Sequence, residues 1–193
     1  MTRLFHVTTV PLSLRFLRGQ VAFMKERGYE VHAVSSPGAL LESFGDEEGI
    51  RVHAVPMSRR VDPTADLVAL GRLVALFRRH RPEIVHAHTP KGGLLGILAA
   101  RIAGVPVRIY HMRGLPVVTA TGTRRIVLAT TERVSCALAS LTLAVSPSLR
   151  ERAVALNLAP EERIRVLLGG SGNGVDARVR FRRAGGAART RAR

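Results

Sequence analysis

The chain has no tryptophan, two tyrosines, six phenylalanines and one cysteine. A single cysteine, Cys136, excludes an intrachain disulfide and fits a reducing cytosol. Its expected place is that of a small buried apolar residue inside a helix. Eight Phe and Tyr residues fall mostly in strand or helix patterns and leave no stacking platform for single-stranded nucleic acid. No apolar run reaches the roughly 18–20 residues that span a bilayer. Met1–Val7 is short and interrupted by His6, so it reads as a first strand rather than a signal peptide. Acids are scarce: 14 Asp and Glu stand against 30 Lys and Arg, a net charge of +16. Lysine is scarcer still, at Lys25 and Lys91 alone. Seven arginines lie in 177–193, where no acid follows Asp176, so the first 176 residues carry +9. A body of that charge favours anionic partners such as phosphates or a membrane surface.

What is present is an apolar fraction of 46% in 193 residues, enough for one domain with a tail. Apolar strands alternate with amphipathic helices. Strands are expected at Arg3–Thr8, Glu30–Ser35, Arg51–Pro56, Ile84–His88, Pro106–Met112, Leu141–Val145 and Ile164–Leu168. Leu14, Leu17, Val21 and Met24 fall at helical spacing, and Gly28 stops that helix. Leu40–Glu48 is a short helix closed by Gly49. Asp62 caps a helix with Pro63 at its first position, and Leu67, Leu70, Val74 and Phe77 form its expected inner face. Gly92–Ala103 is apolar nearly all round, which predicts a covered helix. Two more helices are expected, from Thr123 to Ala139 and from Ser146-Pro147 to Asn157. The fold class is α/β: a Rossmann-like, doubly wound, mostly parallel sheet of about seven strands with right-handed crossovers. The boundaries expected are a domain over 1–176 and an arginine-rich, disordered tail over 177–193.

Pro82–Gly114 carries the chemistry. It reads as strand, polar turn, buried helix, strand, polar turn, with His, Lys or Arg beside Gly in both turns. Such turns lie at the carboxyl ends of parallel strands, where ligands bind. His86 and His88 alternate along one strand and share a face; His88, nearer the strand end, is the one expected to reach a cleft. Their spacing would suit a metal, but no Cys or carboxylate nearby completes a site, so none is expected. Lys91 before Gly92-Gly93 at a helix start is an anion-contact candidate, with a solvated lysine on a glycine turn as the alternative. It is not a P-loop, because the Gly-x4-Gly-Lys-Ser/Thr spacing is missing. Gly170–Gly174 imitates a dinucleotide fingerprint, yet no helix follows it, which argues against a nicotinamide enzyme.

Two segments carry a family resemblance. His86-Ala87-His88-Thr89-Pro90-Lys91-Gly92-Gly93-Leu94-Leu95-Gly96, followed by Gly104-Val105-Pro106-Val107-Arg108-Ile109-Tyr110, resembles bacterial family 4-like glycosyltransferases of the GT-B fold. So does Leu143-Ala144-Val145-Ser146-Pro147-Ser148-Leu149 with Gly172-Asn173-Gly174-Val175-Asp176. The resemblance implies a retaining, nucleotide-sugar-dependent transferase of cell-surface polysaccharide or glycolipid assembly, with no metal or other cofactor. It implies two Rossmann-like domains around a cleft, the first holding the glycan or lipid-linked acceptor. In this first domain Thr9, Ser13 and Arg15 share the first strand–helix loop, whose backbone amides would meet donor diphosphate together with Arg15 on closure, or form an ordinary capping turn with a solvated arginine. His88, Lys91 and Gly92 would face the cleft. His111, Arg113 and Gly114 would approach donor sugar and acceptor, or be polar strand ends. Asn173, Gly174 and Asp176 would form the interdomain hinge.

Three departures shape the expectation. The second domain is missing, Thr9–Leu14 stands where many members carry Gly-Gly, and Arg113-Gly114 stands where many carry His-Gly. The chain therefore reads as the N-terminal half of such an enzyme, truncated, frame-shifted or completed by another chain, and inactive alone. A cytoplasmic place is expected, with peripheral inner-membrane contact through Arg59, Arg60, Arg72, Arg78, Arg79 and Arg81. The rivals are a basic anion-binding module for nucleic acid or membrane, and a fragment of a non-hydrolysing sugar epimerase of the same fold. The polar turns at Ser13, Ser35, His88, Lys91, His111 and Ser146 are expected to face water.

Overall fold

A computed structural model describes residues 1–170. The proposed hinge at Asn173, Gly174 and Asp176 and the tail over 177–193 lie outside the described residues. Seven strands form one parallel sheet: β1 (Thr2–Val7), β2 (Tyr29–Ser35), β3 (Arg51–Ala54), β4 (Ile84–His88), β5 (Val107–Met112), β6 (Leu141–Ala144) and β7 (Ile164–Arg165). Their order is β3-β2-β1-β4-β5-β6-β7. The chain winds outward from β1 in one direction and returns to wind outward from β4 in the other. This is the doubly wound Rossmann order, with its switch point between β1 and β4.

Helices cover both faces: α1 (Gln20–Glu26), α2 (Ala39–Glu48), α3 (Pro63–His80), α4 (Pro90–Ile102), α5 (Gly122–Leu138) and α6 (Pro147–Ala155). Side chains alternate across the sheet, so each strand feeds two cores. Phe5, Val7, Val34, Val85 and Ala87 pack with α3 and α4. Leu4, Val31 and Ala33 pack instead with Leu14, Leu17, Val21, Leu41 and Phe44. Local chemistry sets the ends. The Asp62 carboxylate accepts the Ala65 N–H at 3.0 Å and Pro63 opens α3. Ser146 accepts the Leu149 N–H at 3.1 Å and Pro147 opens α6. Cys136 is buried in α5, as expected.

The details depart from the sequence reading at several places. The expected helix from Leu14 to Met24 is broken: Pro11–Leu17 is a 3-10 turn, and α1 begins only after Gly19, whose φ of +80° no helix accommodates. The buried stripe of α3 is Ala69, Leu73 and Phe77, flanked by Leu70 and Val74, while Leu67 is 70% exposed. The apolar period thus continues into residues at the start of α3 that the core does not cover. β3 ends at Ala54 and β7 at Arg165, short of the expected Pro56 and Leu168. None of the six polar turn residues expected to face water is fully exposed, and Ser35 and His88 are buried. Ser35 shares a 3.1 Å hydrogen bond with Thr8, and His88 lies among other histidines.

Helix α4 sits unusually close to the sheet, and its glycines are the reason. A Cβ on Gly93 would stand 2.3 Å from the Tyr110 ring, and one on Gly96 would stand 3.2 Å from Val7. Tyr110 cannot yield, because it is fully buried and its hydroxyl donates to Glu132 Oε2 of α5 at 2.6 Å. Burial pushes the Glu132 carboxyl up to about 7, and its Oε1 has no partner among the described residues.

Candidate functional site

The crevice at the switch point is built by the turns after β1 and β4. Thr9 and Thr89 clasp them together. The hydroxyls lie 2.8 Å apart, the Thr9 N–H donates to Thr89 Oγ1 at 3.2 Å, and the Gly92 N–H donates to Thr9 Oγ1 at 2.9 Å. A Cβ at Gly92 would meet Thr89 Oγ1 at 2.7 Å and the Thr9 nitrogen at 3.0 Å, so the clasp requires glycine there. Thr89 itself has φ +66° and ψ 149° before a proline, a conformation foreign to a β-branched residue. Such backbone strain costs on the order of 1–3 kcal/mol and persists only where surrounding bonds over-determine it. The Ser36 hydroxyl extends the tie, donating to the Thr9 carbonyl at 2.7 Å and accepting the Met57 N–H at 3.0 Å.

Beside the clasp runs a groove of 370 Å³, bounded by the turns after β1, β3 and β4 and by the first turns of α5. Val61, Leu94, Pro116 and Val127 supply apolar walls, and Arg59 and Arg124 supply charge. Ser13 and Lys91 both line it. Lys91 Nζ is engaged there: it contacts Asp66 Oδ1 and Oδ2 at 2.7 and 2.9 Å and donates to the Arg60 carbonyl. Asp66 is the groove's sole carboxylate among the described residues, and Lys91 holds both its oxygens. Arg15 falls elsewhere, in a small pocket with Leu40, Ser43 and Glu47 against α2.

Under the same strand ends, on the opposite sheet face, four histidines gather. His6, His86 and His88 are buried and His111 is half-buried. His6 pairs with His86 in register, and His88 with His111. The polar contacts fix their protons. Arg113 Nε–H donates to His88 Nδ1 at 3.2 Å, so the neutral His88 carries its proton on Nε2. That nitrogen lies 3.1 Å from His6 Nδ1, which accepts and leaves the His6 proton on Nε2. Burial, reinforced by Arg113, brings His6 down to about 3 and His111 to about 4, and holds His86 and His88 well below the ordinary imidazole value. The same burial brings Arg113 only to about 10, so it stays a cation at neutral pH beside four neutral rings. Its guanidinium lies 5.2 Å from the ring of Phe16, a half-exposed residue of the 3-10 turn. Chemically, this half presents a fixed cation and a polarised, neutral histidine file. Because His88 Nδ1 is occupied by a cationic donor, His88 is not arranged as a proton acceptor.

The structure therefore brings His88, His111 and Arg113 into one cluster and Ser13 and Lys91 to one groove, while Gly92 is buried in the clasp and does not line the groove. Gly114 lies exposed next to Arg113 with open space around it. Thr9, expected in the contact loop, instead ties that loop to Thr89, and the structure adds His6, Phe16, Asp66 and Arg124, with Arg59 lining the groove. His6 alone left a readable signal: a histidine in the strand that the crossover rule places beside β4.

With this geometry described, comparison with known proteins adds three findings. The profile of the glycosyl transferase 4-like domain family matches residues 14–170. Among curated proteins the chain is similar to the capsular polysaccharide biosynthesis glycosyltransferase CapM of Staphylococcus aureus. Identity is 38% over 173 residues, covering 90% of this chain and 45% of that protein. It is also similar to the UDP-Gal:alpha-D-GlcNAc-diphosphoundecaprenol alpha-1,3-galactosyltransferase of Escherichia coli, at 27% identity over 116 residues, 58% of this chain and 30% of the other. The chain thus spans less than half the length of these relatives. Among solved structures, a UDP-N-acetylglucosamine 2-epimerase matches with a TM-score of 0.67 at 19% identity, covering 86% of this chain and 47% of that one.

Proposed function

The chain belongs to the glycosyl transferase 4-like domain family, and from that premise we propose that it is the acceptor-side half of a nucleotide-sugar-dependent, retaining glycosyltransferase of cell-surface polysaccharide or glycolipid assembly. The observation that carries the reading is the groove beside the Thr9–Thr89 clasp, where apolar walls meet Arg59 and Arg124. A lipid-linked saccharide diphosphate offers both matching chemistries, an acyl or prenyl chain and a dianionic bridge. The galactosyltransferase relative, by its name, acts on such an acceptor and uses UDP-Gal. Arg113, charged and half-buried at the strand ends, is suited to meet the donor diphosphate once a second domain closes over the crevice. No resident metal or cofactor is needed for these roles. The likeness to an epimerase is one of fold, whereas 38% identity to a transferase favours sugar transfer.

Membrane contact is part of the proposal. Arg72, Arg78, Arg79 and Arg81 are exposed on and just after α3, as are Leu67 and Val68 of α3 and Ile126, Arg124 and Arg125 of α5. Attraction to an anionic leaflet is worth roughly 1 kcal/mol per basic residue close to it. No helix of the described residues is long and apolar enough to cross a membrane.

The test is reconstitution. The chain is co-expressed with the second domain of a similar transferase, and transfer from UDP-sugars to lipid-diphosphate saccharides is followed. The expected result is transfer that needs both parts, falls in turnover with Arg113→Ala, and shows a raised acceptor KM with Arg124→Ala. Micromolar nucleotide-sugar binding by the chain alone would contradict the division of labour. Unchanged kinetics in both variants would leave the groove and strand ends as ordinary surface.

A further inference from the structure

A second histidine cluster lines neither the groove nor the Arg113 cluster and has no part in the reading above. His32 of β2, His53 of β3 and His80 at the last position of α3 meet at the β3 edge of the sheet, on the α3 side. One ring nitrogen from each lies within 4.8 Å of the other two. His32 Nδ1 and His53 Nε2 are 2.9 Å apart in rings parallel to within 3°, and the His80 ring stands 4.9 Å from that of His53 at 63°. We propose that His32, His53 and His80 form a binding site for one transition-metal ion of the zinc, nickel or copper class, with Glu30 as the outer partner that orients His32.

The outer partner separates this cluster from the one under the crevice. His32 Nε2–H donates to Glu30 Oε1 at 3.0 Å. That fixes the tautomer and turns the Nδ1 lone pair inward, as metal-bound histidines require. Glu30 is in turn held by Arg3 at 3.4 Å and Arg51 at 3.9 Å, and the His32 hydrogen bond keeps its carboxyl below the usual range. Phe5 stacks on His32 with ring centroids 4.3 Å apart, which limits rotation of the ring. In the His6, His86 and His88 cluster the corresponding outer group is Arg113, a donor. A donor there opposes the electron release that strengthens a metal ligand, so that cluster is the poorer metal site.

With His32 Nε2–H given to Glu30, His32 Nδ1 accepts and His53 Nε2 donates, the arrangement of two neutral rings. Binding then needs no net proton loss. The proton that His53 Nε2 shares with His32 Nδ1 moves to His53 Nδ1, and the ion takes its place. Metal–nitrogen bonds of roughly 2.0–2.1 Å in a tetrahedral arrangement open the nitrogen pair from 2.9 to about 3.3 Å. His53 must also turn so that both lone pairs converge. It can do so because it is half-exposed on the four-residue strand β3, and His80 is half-exposed at a helix end. The same exposure gives an entry path and a fourth position for water. Three imidazoles with no oxygen ligand from the chain exclude calcium and magnesium. Arg3, Arg51 and Arg79 stand nearby and oppose any cation, so affinity must come from the metal–nitrogen bonds themselves.

The experiment uses the full chain without a polyhistidine tag, stripped by chelator. Zn²⁺ is titrated in competition with a chromophoric chelator, and Co²⁺ is added as a spectroscopic probe. The expected result is one equivalent bound, with the visible absorption of tetrahedral Co²⁺. Affinity falls at least about 100-fold in His53→Ala and in His80→Asn, falls roughly 10–100-fold in Glu30→Gln, and is unchanged in His86→Ala. His80→Asn alters only a helix end, so it reads the site even if His53→Ala is poorly folded; far-UV circular dichroism checks each protein. Binding that survives His80→Asn, binding lost in His86→Ala instead, or no stoichiometric binding by the wild type would each overturn the assignment.

Discussion

Replacing Gly93 by alanine should destabilise the domain, although the same change in an ordinary helix stabilises it. Gly→Ala in a helix interior gains about 1 kcal/mol. At Gly93 the new methyl would meet Tyr110 Cε2 at 2.3 Å and Cδ2 at 2.8 Å. Overpacking of this kind costs about 1–3 kcal/mol. If the ring shifts to make room, the 2.6 Å bond from Tyr110 to Glu132 is lost or stretched, adding about 1–3 kcal/mol. The net expectation when the ring shifts is a loss of about 1–5 kcal/mol, or roughly 2–20 °C in melting temperature. Gly71 in α3 is the internal control. A methyl there meets nothing within 4 Å, so Gly71→Ala should gain about 0.5–1 kcal/mol. Urea unfolding of the two variants beside wild type reads both signs in one series. If Gly93→Ala is as stable as wild type or more so, helix α4 is not seated by its glycines. The reason for glycine at that position would then lie with a ligand rather than with packing.

Glu132 supplies a pH test. Its folded value of about 7 stands above the ordinary 4.5, so between these values the folded state holds more protons than the unfolded one. Stability from this group is therefore lost as pH rises from about 4.5 to 7, and Glu132→Gln, which does not titrate, should gain on wild type by about 3 kcal/mol across that window. Parallel denaturation curves at pH 5 and pH 8 check it, and a constant difference would refute it. Cys136 supplies a third: burial raises its thiol to about 12, so alkylation at pH 8 should track global unfolding rather than proceed from the native state. Rapid labelling in native buffer would contradict the buried placement.

The sheet was legible because its signals are local and periodic. Asp62-Pro63, Gly49 and Ser146-Pro147 mark helix ends by backbone chemistry that needs no distant partner. The crossover rule then orders the strands, and the family resemblance of His86–Gly96 is matched by the family profile. What escaped depends on pairs distant in sequence. Lys91 could be read as an anion contact because nothing in its neighbourhood shows that Asp66, 25 residues earlier, holds it. His6 meets His88 across 82 residues, and the Thr9–Thr89 clasp spans 80. Leu67 fits the helical period yet stays exposed, because periodicity marks a face and not where that face ends. Gly92-Gly93 could be read as close approach to a ligand; the close approach they allow in this structure is to the chain itself.

The strand order has a consequence in time. β1 is made before the other described strands of the sheet but sits in its middle, with its second ladder supplied by Ile84–Ala87. At a synthesis rate of about 5–20 residues per second, its open edge waits roughly 4–16 s for that partner. High contact order of this kind slows folding, and an unpaired central strand is a template for mispairing with another nascent chain. Each molecule is therefore most exposed to aggregation after β2 has docked and before β4 leaves the ribosome, an interval set by the pace of translation rather than by the stability of the finished sheet.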